Sequence, residues 1–380
     1  MRIEIIDSDQ AFAAMRPSWN ELAAGLEFSH VCLSFEWFWS WWSAFGKGRL
    51  LRILLAYDGS RLVGIAPLMI SRELVCGIPL KTVRFLYNDN APCADFLVAT
   101  KPRLVLKAFF EHLAHTGREW DRIVLDNIPE DSKHSALIED ALSQNGWLFY
   151  RKEGLRSPYL VIDSDWDGFC RHKGKKFIKT RRNISNRISR AGMHRIEMVK
   201  EYAGARAVME DIVGISGRSW KRRSRRDFMH RKNDLVFFRH LCREFGLSRM
   251  LRIWVLRLDN IPIAYEFHLA RENNIYGLKA DFDAGFASVS PGTYLDTEIT
   301  KRYFNDRIDI YDLGGHDDEA YKKRWTPLRR LHTHYVIYKR ECRGMLLVFV
   351  QSQLVIPLKE ALKKMAFVRR IRRILSGRGR

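Results

Sequence analysis

The stretch that decides the fold is residues 261–325, IPIAYEFHLARENNIYGLKADFDAGFASVSPGTYLDTEITKRYFNDRIDIYDLGGHDDEAYKKRW. It begins with an alternating run over residues 261–269, which predicts a half-buried strand. The dipeptide Asn273-Asn274 indicates a tight turn. Residues 275–280 then predict the second arm of a hairpin.

A helix and a further strand follow the hairpin. Ser290 fits a helix N-cap, and Pro291 fits the first helical position, where its missing N–H costs nothing. We expect a helix over residues 291–304 and a strand over residues 308–313. Strand, strand, loop, helix start and strand is the order of elements in sites where backbone N–H groups at a helix start face an anionic ligand.

Length and composition place the chain among globular proteins. It has 380 residues, of which 46% are hydrophobic and 12% aromatic, enough to bury two cores, so we expect two domains. No initial segment has the pattern of a secretory signal. The longest apolar run, residues 345–358, is interrupted by polar residues and too short to span a bilayer. We therefore expect a cytoplasmic protein that is not integral to a membrane.

The cysteines are isolated in the sequence and have neither paired spacing nor neighbouring His clusters. They are Cys32, Cys76, Cys93, Cys170, Cys242 and Cys342. This pattern predicts no metal site and no disulfide framework, and it fits a reducing compartment.

The net charge of +21 is concentrated in two blocks. Residues 171–257 contain about 25 Lys and Arg against about 7 Asp and Glu, and residues 358–380 add a charge of roughly +8. Most single Lys and Arg residues belong to solvated faces. Blocks of this size nonetheless favour an anionic partner, such as a phosphate, a nucleotide, a nucleic acid or an acidic membrane surface.

Before the basic block, the pattern predicts a complete α/β domain. In residues 34–46, SFEWFWSWWSAFG, aromatic side chains recur at helical spacing and predict a core helix rather than a binding platform. A hairpin about Asp58-Gly59 and further strands and helices follow. The predicted organisation is an N-terminal domain over residues 1–164, a basic connecting helix over 165–195, a C-terminal domain over 196–342 and a basic amphipathic tail over 343–380.

Several motifs, in this order and spacing, resemble one family. They are Glu36-Trp37 with Trp41-Trp42, AYDGSRLVGIAPL, RFLYNDNAPCADFLV, SPYLVID, RRNISNRISRAG, LDNIPIAYEFHL, SPGTYL and YDLGGHDDEAYKKRW. The sequence resembles the GNAT-related CelD/BcsL family, which is linked to cellulose and exopolysaccharide production and is similar in build to FemABX-like aminoacyltransferases. The resemblance implies an α/β (α+β) fold of two tandem GNAT-like domains, each a mixed, mostly antiparallel sheet flanked by helices.

The resemblance also implies an acyl donor, such as acyl-CoA, bound by the C-terminal domain without a metal. GNAT folds hold the donor's pyrophosphate on N–H groups between a strand and the next helix, usually through a glycine-rich turn. This chain lacks the usual turn. The residues that could form a phosphate cradle instead are Ser288, Ser290, Gly292 and Thr293, and Lys322 could pair with a phosphate.

The implied chemistry is attack of an amine or hydroxyl on an acyl carbonyl, which needs a base and an acid. Glu266 and His268 share a face of their strand, and Asp281 ends the paired strand, so these three are candidates for the base. Tyr265 and Tyr276 are candidates for the acid. Asp312 lies where a strand ends in a loop, a place that often carries function. Each of these side chains is also of a type that is often solvated or satisfied structurally.

Three other functions remain open on sequence grounds. One is a non-catalytic polysaccharide-assembly factor with the same fold. Another is a transferase that uses aminoacyl-tRNA, for which the basic helix would have a role. A general nucleic-acid binder is disfavoured, because no interleaved aromatics or known binding motif accompany the charge.

Our interpretation is an acyltransferase acting on an amine or sugar hydroxyl of an envelope or exopolysaccharide precursor. In the tail, apolar residues recur at helical spacing between basic residues from 358 onward, which is typical of helices at an anionic membrane surface. A helix packed on the second domain would show the same pattern. We expect a cytoplasmic enzyme with a possible peripheral site at the inner face of the membrane.

Overall fold

A computed structural model describes residues 1–26, 30–75, 77–225, 227–315, 322–341, 344, 345 and 347. Residues 316–321 and the basic segment from residue 358 onward lie outside this part. The membrane role of that segment therefore stays a prediction. Among the described residues, no helix combines the length and the apolar composition needed to cross a bilayer.

The first half of the chain contains nine strands and five helices in its described part. The strands are β1 (Arg2–Ile6), β2 (Leu50–Leu51), β3 (Ile53–Asp58), β4 (Arg61–Ala66), β5 (Leu68–Val75), β6 (Ile78–Phe85), β7 (Leu97–Val98), β8 (Arg122–Pro129) and β9 (Leu148–Val161). The helices are α1 (Asp9–Ala14), α2 (Arg16–Ala24), α3 (Phe35–Phe45), α4 (Pro102–His115) and α5 (His134–Gln144).

The second half repeats the mixture of helices and strands. Its helices are α6 (Trp166–Lys173), α7 (Lys175–Ala191), α8 (Tyr202–Arg218), α9 (Lys232–Leu247) and α10 (Pro291–Asn305). Its strands are β10 (His194–Val199), β11 (Leu251–Leu258), β12 (Ile261–Arg271), β13 (Asn274–Phe282), β14 (Ile310–Asp312) and β15 (Arg329–Tyr338).

One large sheet passes through both halves. Its strand order among the described residues is β10-β11-β12-β13-β14-β9-β15-β8-β6-β5-β2, and β1-β3-β4-β7 form a smaller sheet. Strand β9 connects the halves, because it pairs with β14 at one end and with β15 along the rest of its length. The last strand, β15, also pairs with β8 and so returns the chain to the first half. The domain boundaries stay a prediction.

The halves also share a hydrophobic core. The aromatic helix α3 is buried as predicted, and it packs against α9 with the rings of Trp37 and Phe237 5.2 Å apart, edge to face. Residues of α2, α3, α8, α9 and β12 belong to one cluster of buried side chains. This packing sets the position of the second half relative to the first.

The prediction of a half-buried strand over residues 261–269 is wrong, because β12 is covered on both faces. Phe267 meets Phe238 of α9 on one face, with ring centroids 4.9 Å apart. His268 contacts Tyr303 of α10 on the other face. The alternation therefore separates two buried faces rather than a buried one from a solvated one.

The predicted basic connecting helix is interrupted. Gly174, with a positive φ of 86°, separates α6 from α7. Glycine adopts this backbone conformation without the steric cost that a side chain adds. Basic residues cover the exposed faces of α7, while Ile184 and Ile188 are buried beneath it.

Candidate functional site

The candidate site lies where strands β13 and β14 part. The two strands pair in parallel only from Asn274 to Tyr276, and β13 then continues to Phe282 beside β12 alone. After β14 the chain turns at Gly314, whose φ is +60°. A Cβ there would lie 1.9 Å from the carbonyl oxygen of Gly277, so this turn requires glycine.

Glu266 and His268 form a buried pair on the face of β12 that meets α10. The Nε2 atom of His268 lies 2.9 Å from Oε2 of Glu266, and its Nδ1 atom lies 2.7 Å from the hydroxyl of Tyr303. That hydroxyl accepts a hydrogen bond of 3.1 Å from the indole of Trp254. The hydroxyl of Tyr311, on β14, lies 3.4 Å from the same Nε2 atom. The pair is thus held by groups from three other elements.

Burial shifts the acid–base properties of this cluster strongly. It raises the pKa of Glu266 to about 8, against a smaller opposing effect of the Lys322 ammonium. Burial and the nearby Glu266 charge together raise the pKa of Asp296, on α10, to about 7. Burial lowers the pKa of His268 to about 3. Both carboxyl groups therefore titrate near neutral pH while the imidazole stays uncharged, a pattern that clusters at functional sites and also occurs in structural networks.

Lys322 and Trp325 close this cluster. The Nζ atom of Lys322 donates a hydrogen bond of 2.5 Å to the carbonyl of Gly314 and is buried. The indole of Trp325 donates a hydrogen bond of 2.6 Å to Oδ2 of Asp296. Trp325 is buried in the core. The Lys322 ammonium is near enough to lower the pKa of Glu266, and its bond to Gly314 ties it to the chain after β14.

Two other predicted residues, Tyr265 and Asp281, lie on the opposite face of the sheet. They are register partners on β12 and β13, and this face meets α8. Lys221 donates a hydrogen bond of 2.6 Å to the carbonyl of Ala280, and its Nζ lies 3.5 Å from Oδ1 of Asp281. Burial raises the pKa of the Asp281 carboxyl. The structure therefore separates Asp281 from Glu266 by the thickness of the sheet.

Tyr276 and Asp312 form a third group at the junction with the first half. They are register partners on β13 and β14. The ring of Tyr276 packs on His30, with centroids 4.3 Å apart, and burial raises the pKa of Tyr276. Asp312 accepts hydrogen bonds from the amide of Gly314 at 2.9 Å and from Arg330 at 3.1 Å. They are the last residues at which β13 and β14 pair before the two strands part.

The predicted cradle residues lie together between β13 and α10. Ser288 lies in a short 3-10 segment (Ala284–Val289), while Gly292 and Thr293 lie in the first turn of α10. Ser290 is at the N-cap position with a φ of 55°, but its side chain does not cap the helix. Its hydroxyl instead accepts a hydrogen bond of 3.1 Å from Arg187, which also donates to the carbonyl of Ser288. As at any helix start, the first N–H groups have no acceptor within the helix.

Sequence reasoning missed four residues of this region. They are Arg187, Asp296, Tyr303 and Tyr311. Asp296 and Tyr303 are seven residues apart on a predicted helix and so share a face, which could have placed both above β12. The role of Arg187 depends on a contact between distant segments and has no local signal.

A cleft with a volume of about 880 Å³ reaches this region from the first half. Its walls include Arg84 of β6 and Asp126 of β8 from the first half, and Gly277, Leu278 and Gly315 from the second. The cleft therefore extends to the point where β13 and β14 part.

The family comparison concerns the second half of the chain. Residues 178–323 match a family described as acetyltransferase (GNAT) domain. This match supports an N-acetyltransferase-like enzyme and covers α7, the β10–β14 strands and α10, the elements that surround the candidate site. No match was found among curated protein sequences.

Solved structures share the fold over most of the chain. FemX is similar over 93% of this chain and 100% of its own, with a TM-score of 0.58 and 13% identity. A conserved protein of unknown function from Bacteroides thetaiotaomicron gives a TM-score of 0.56 at 13% identity, over 89% of this chain and 100% of its own.

A third structure is the C-terminal domain of a protein described as a lysylphosphatidylglycerol synthetase from Agrobacterium fabrum. Its TM-score is 0.54 at 14% identity, over 90% of this chain and 97% of its own. Identities this low show a shared fold alone. The predicted fold class, with mixed and mostly antiparallel sheets flanked by helices, is confirmed, and the GNAT family match lies in the second half.

Proposed function

We propose that this GNAT-type acyltransferase moves an acyl group from an acyl-CoA-type donor, bound at the start of α10, to an amine or hydroxyl. The acceptor attacks the acyl carbonyl, and its proton passes to the carboxylate of Glu266. The proton then returns to the departing thiolate. The acceptor belongs to an envelope or exopolysaccharide precursor, a proposal supported by the resemblance to the CelD/BcsL motifs.

The observation that carries this proposal is the buried Glu266–His268 pair beside the parting strands. A general base works best when its pKa lies near the working pH, and burial raises the pKa of Glu266 to about 8. With the carboxylate formed, the Nε2–H of His268 donates to Glu266 and the hydroxyl of Tyr303 donates to Nδ1. This arrangement of hydrogen bonds holds the charged form.

The donor site is supported by the geometry of the α10 start. Free N–H groups and the positive end of the helix dipole favour phosphate oxygens there. Arg187 adds a cation at Ser288 and Ser290. Lys322 supports the site differently. Its Nζ atom donates a hydrogen bond to the carbonyl of Gly314 and so fixes the chain that follows β14.

Gly292 provides the test of this donor site. In Gly292→Asp a carboxylate lies against the presumed phosphates, so acetyl-CoA or a longer acyl-CoA should no longer raise the melting temperature. Gly292→Ala is the matched control, because its Cβ meets the same Phe282 side chain, whose Cδ1 lies 3.1 Å away and must shift slightly, and it adds no charge. Equal stabilisation of wild type and Gly292→Asp by the donor would place the cradle elsewhere.

A second candidate donor is aminoacyl-tRNA. The observation that favours it is the exposed basic surface of α7 beside the cradle, formed by Lys175, Lys176, Lys179, Arg182, Arg187 and Arg190. Phosphate contacts release counterions, so retention of tRNA should fall steeply with salt. Salt-dependent retention of aminoacyl-tRNA without any stabilisation by acyl-CoA would favour this donor over the first.

A further inference from the structure

One wall of the cleft between the halves carries cations that have no ion pair with a carboxylate in the described part of the chain. Lys47 follows α3, Arg49 precedes β2 and Arg72 lies on β5. Among the described residues, none of the three forms an ion pair with a carboxylate. Arg84, in the same cleft, is paired with Asp126 at 2.6 Å and with Glu73 at 3.0 Å. The wall has four carboxylates, those of Glu73, Asp89, Asp126 and Glu153, but none of them lies within ion-pair distance of Lys47, Arg49 or Arg72.

Arg49 is positioned by its surroundings. It donates a hydrogen bond to the carbonyl of Phe45 and lies over the ring of Trp41, 5.7 Å from the centroid. Burial and the nearby Arg84 lower the pKa of Arg49, and the Glu73 carboxylate offsets only part of that shift. A fixed guanidinium without a carboxylate is suited to bind a phosphate or carboxylate of a ligand.

The wall from the second half carries a buried carboxylate that has an unsatisfied oxygen. Asp234 of α9 lines the same cleft and is only 7% exposed. Its Oδ1 atom accepts a hydrogen bond of 3.0 Å from Asn90. Its Oδ2 atom lies 3.5 Å from Arg231 in an ion pair, but it accepts no hydrogen bond in the described part of the chain. A buried carboxylate oxygen with a free lone pair is costly unless a donor reaches it.

We propose that the cleft binds an acceptor that is an amine carrying an anionic group. The phosphate or carboxylate of this acceptor lies against Lys47, Arg49 and Arg72, and its ammonium donates to Asp234 when it enters the cleft. The inference rests on the proposed function, because Gly277 and Gly315 bring the same cleft to the strands where the acyl group would arrive. The ammonium releases one proton to solvent to give the neutral amine that attacks, and the proton that this amine loses on attack passes to Glu266.

Calorimetry without any acyl donor tests this assignment. The probes are glucosamine-6-phosphate and glucosaminuronic acid, which combine an amine with a phosphate or a carboxylate, and glucosamine and glucose-6-phosphate, which have one feature each. We expect at least one charged amine to bind about tenfold more tightly than either single-feature compound. The preferred anion distinguishes a phosphorylated acceptor from a carboxylated one.

Variants identify which residues bind the anionic group of the probe and which residue binds its ammonium. Lys47 and Arg72 are exposed, so Lys47→Gln with Arg72→Gln should fold normally and lose the advantage over glucosamine. Asp234→Asn should lose the advantage over glucose-6-phosphate. Lys200→Gln, an exposed cation outside the cleft, is the control and should bind as wild type does.

Equal binding of all four compounds, or no binding of any at millimolar concentration, would overturn the proposal. So would a full advantage of the charged amines in the Lys47 and Arg72 variant. Because no donor is present, these outcomes are separate from the donor-stabilisation test at Gly292. The acceptor proposal and the donor proposal can therefore fail independently of each other.

Discussion

The two faces of the β12–β13 hairpin differ in how they hold a buried carboxyl group. On the α10 face, Glu266 lies 2.9 Å from the imidazole of His268, which continues to Tyr303. On the α8 face, Asp281 lies 3.5 Å from the ammonium of Lys221. Both carboxyl groups are almost fully buried. Glu266 is joined to a neutral chain of hydrogen bonds, whereas Asp281 lies within ion-pair distance of a cation.

This difference separates a candidate base from a candidate ion pair. A carboxyl group held by neutral partners keeps a raised pKa and can take up a proton near neutral pH. A neighbouring ammonium opposes that shift, and Lys221 and Lys279 both lower the pKa of Asp281 against its burial. Because successive side chains of a strand point to opposite faces, this one hairpin places its two buried carboxyl groups in different environments.

The largest expected effect follows from removing the carboxylate on the α10 face. Glu266→Gln keeps the shape of the side chain, so turnover should fall about a hundredfold or more while donor affinity is unchanged. The measurement is thiol release from the acyl donor. Asp281→Asn is the matched control and should retain turnover close to that of wild type. Full activity of Glu266→Gln, with a loss in Asp281→Asn, would reverse the assignment of the two faces.

A smaller effect is expected from the tyrosine that orients the imidazole. Tyr303→Phe removes the hydroxyl that lies 2.7 Å from His268 Nδ1, so turnover should fall about tenfold. Loss of a buried hydrogen bond should also lower the free energy of unfolding by about 1 kcal/mol. A purely structural tyrosine would change stability but leave the pH dependence of turnover as it is in wild type. We expect the variant to shift that dependence.

On the α8 face, the expected change is in stability rather than turnover. Lys221→Met leaves Asp281 without its cation, so the free energy of unfolding should fall by about 1–2 kcal/mol, a reduced value because Lys221 is partly exposed. Chemical denaturation measures this loss. Turnover should stay within about twofold of wild type if the α8 face has no part in proton transfer. A drop as large as that of Glu266→Gln would remove the distinction between the faces.

Stability should also depend on pH through Glu266. Burial raises its pKa from 4.5 to about 8, so the folded protein binds more protons than the unfolded chain between these values. The free energy of unfolding therefore falls as pH rises through this window, and Asp296 contributes with the same sign. Denaturation midpoints measured across the window should fall less in Glu266→Gln than in wild type.

The sequence predicted the hairpin, α10 and the shared strand face of Glu266 and His268, because these features follow from alternation and helix-start signals within one segment. It did not predict that β12 is covered on both faces, since the helices that cover it come from elsewhere in the chain. It also grouped Asp281 with Glu266, although strand register places them on opposite faces. Contacts such as Arg187 with Ser290 depend on packing between distant segments and have no local pattern.

The most direct test of the account is the pH dependence of kcat/KM in wild type and in Glu266→Gln. If Glu266 is the base, kcat/KM of the wild type should rise with pH and level off above about 8, following the pKa of Glu266. The variant should be slow and lack this rise. The same rise in both proteins would show that another group takes the proton, and it would contradict the assignment of the α10 face as the site of acyl transfer.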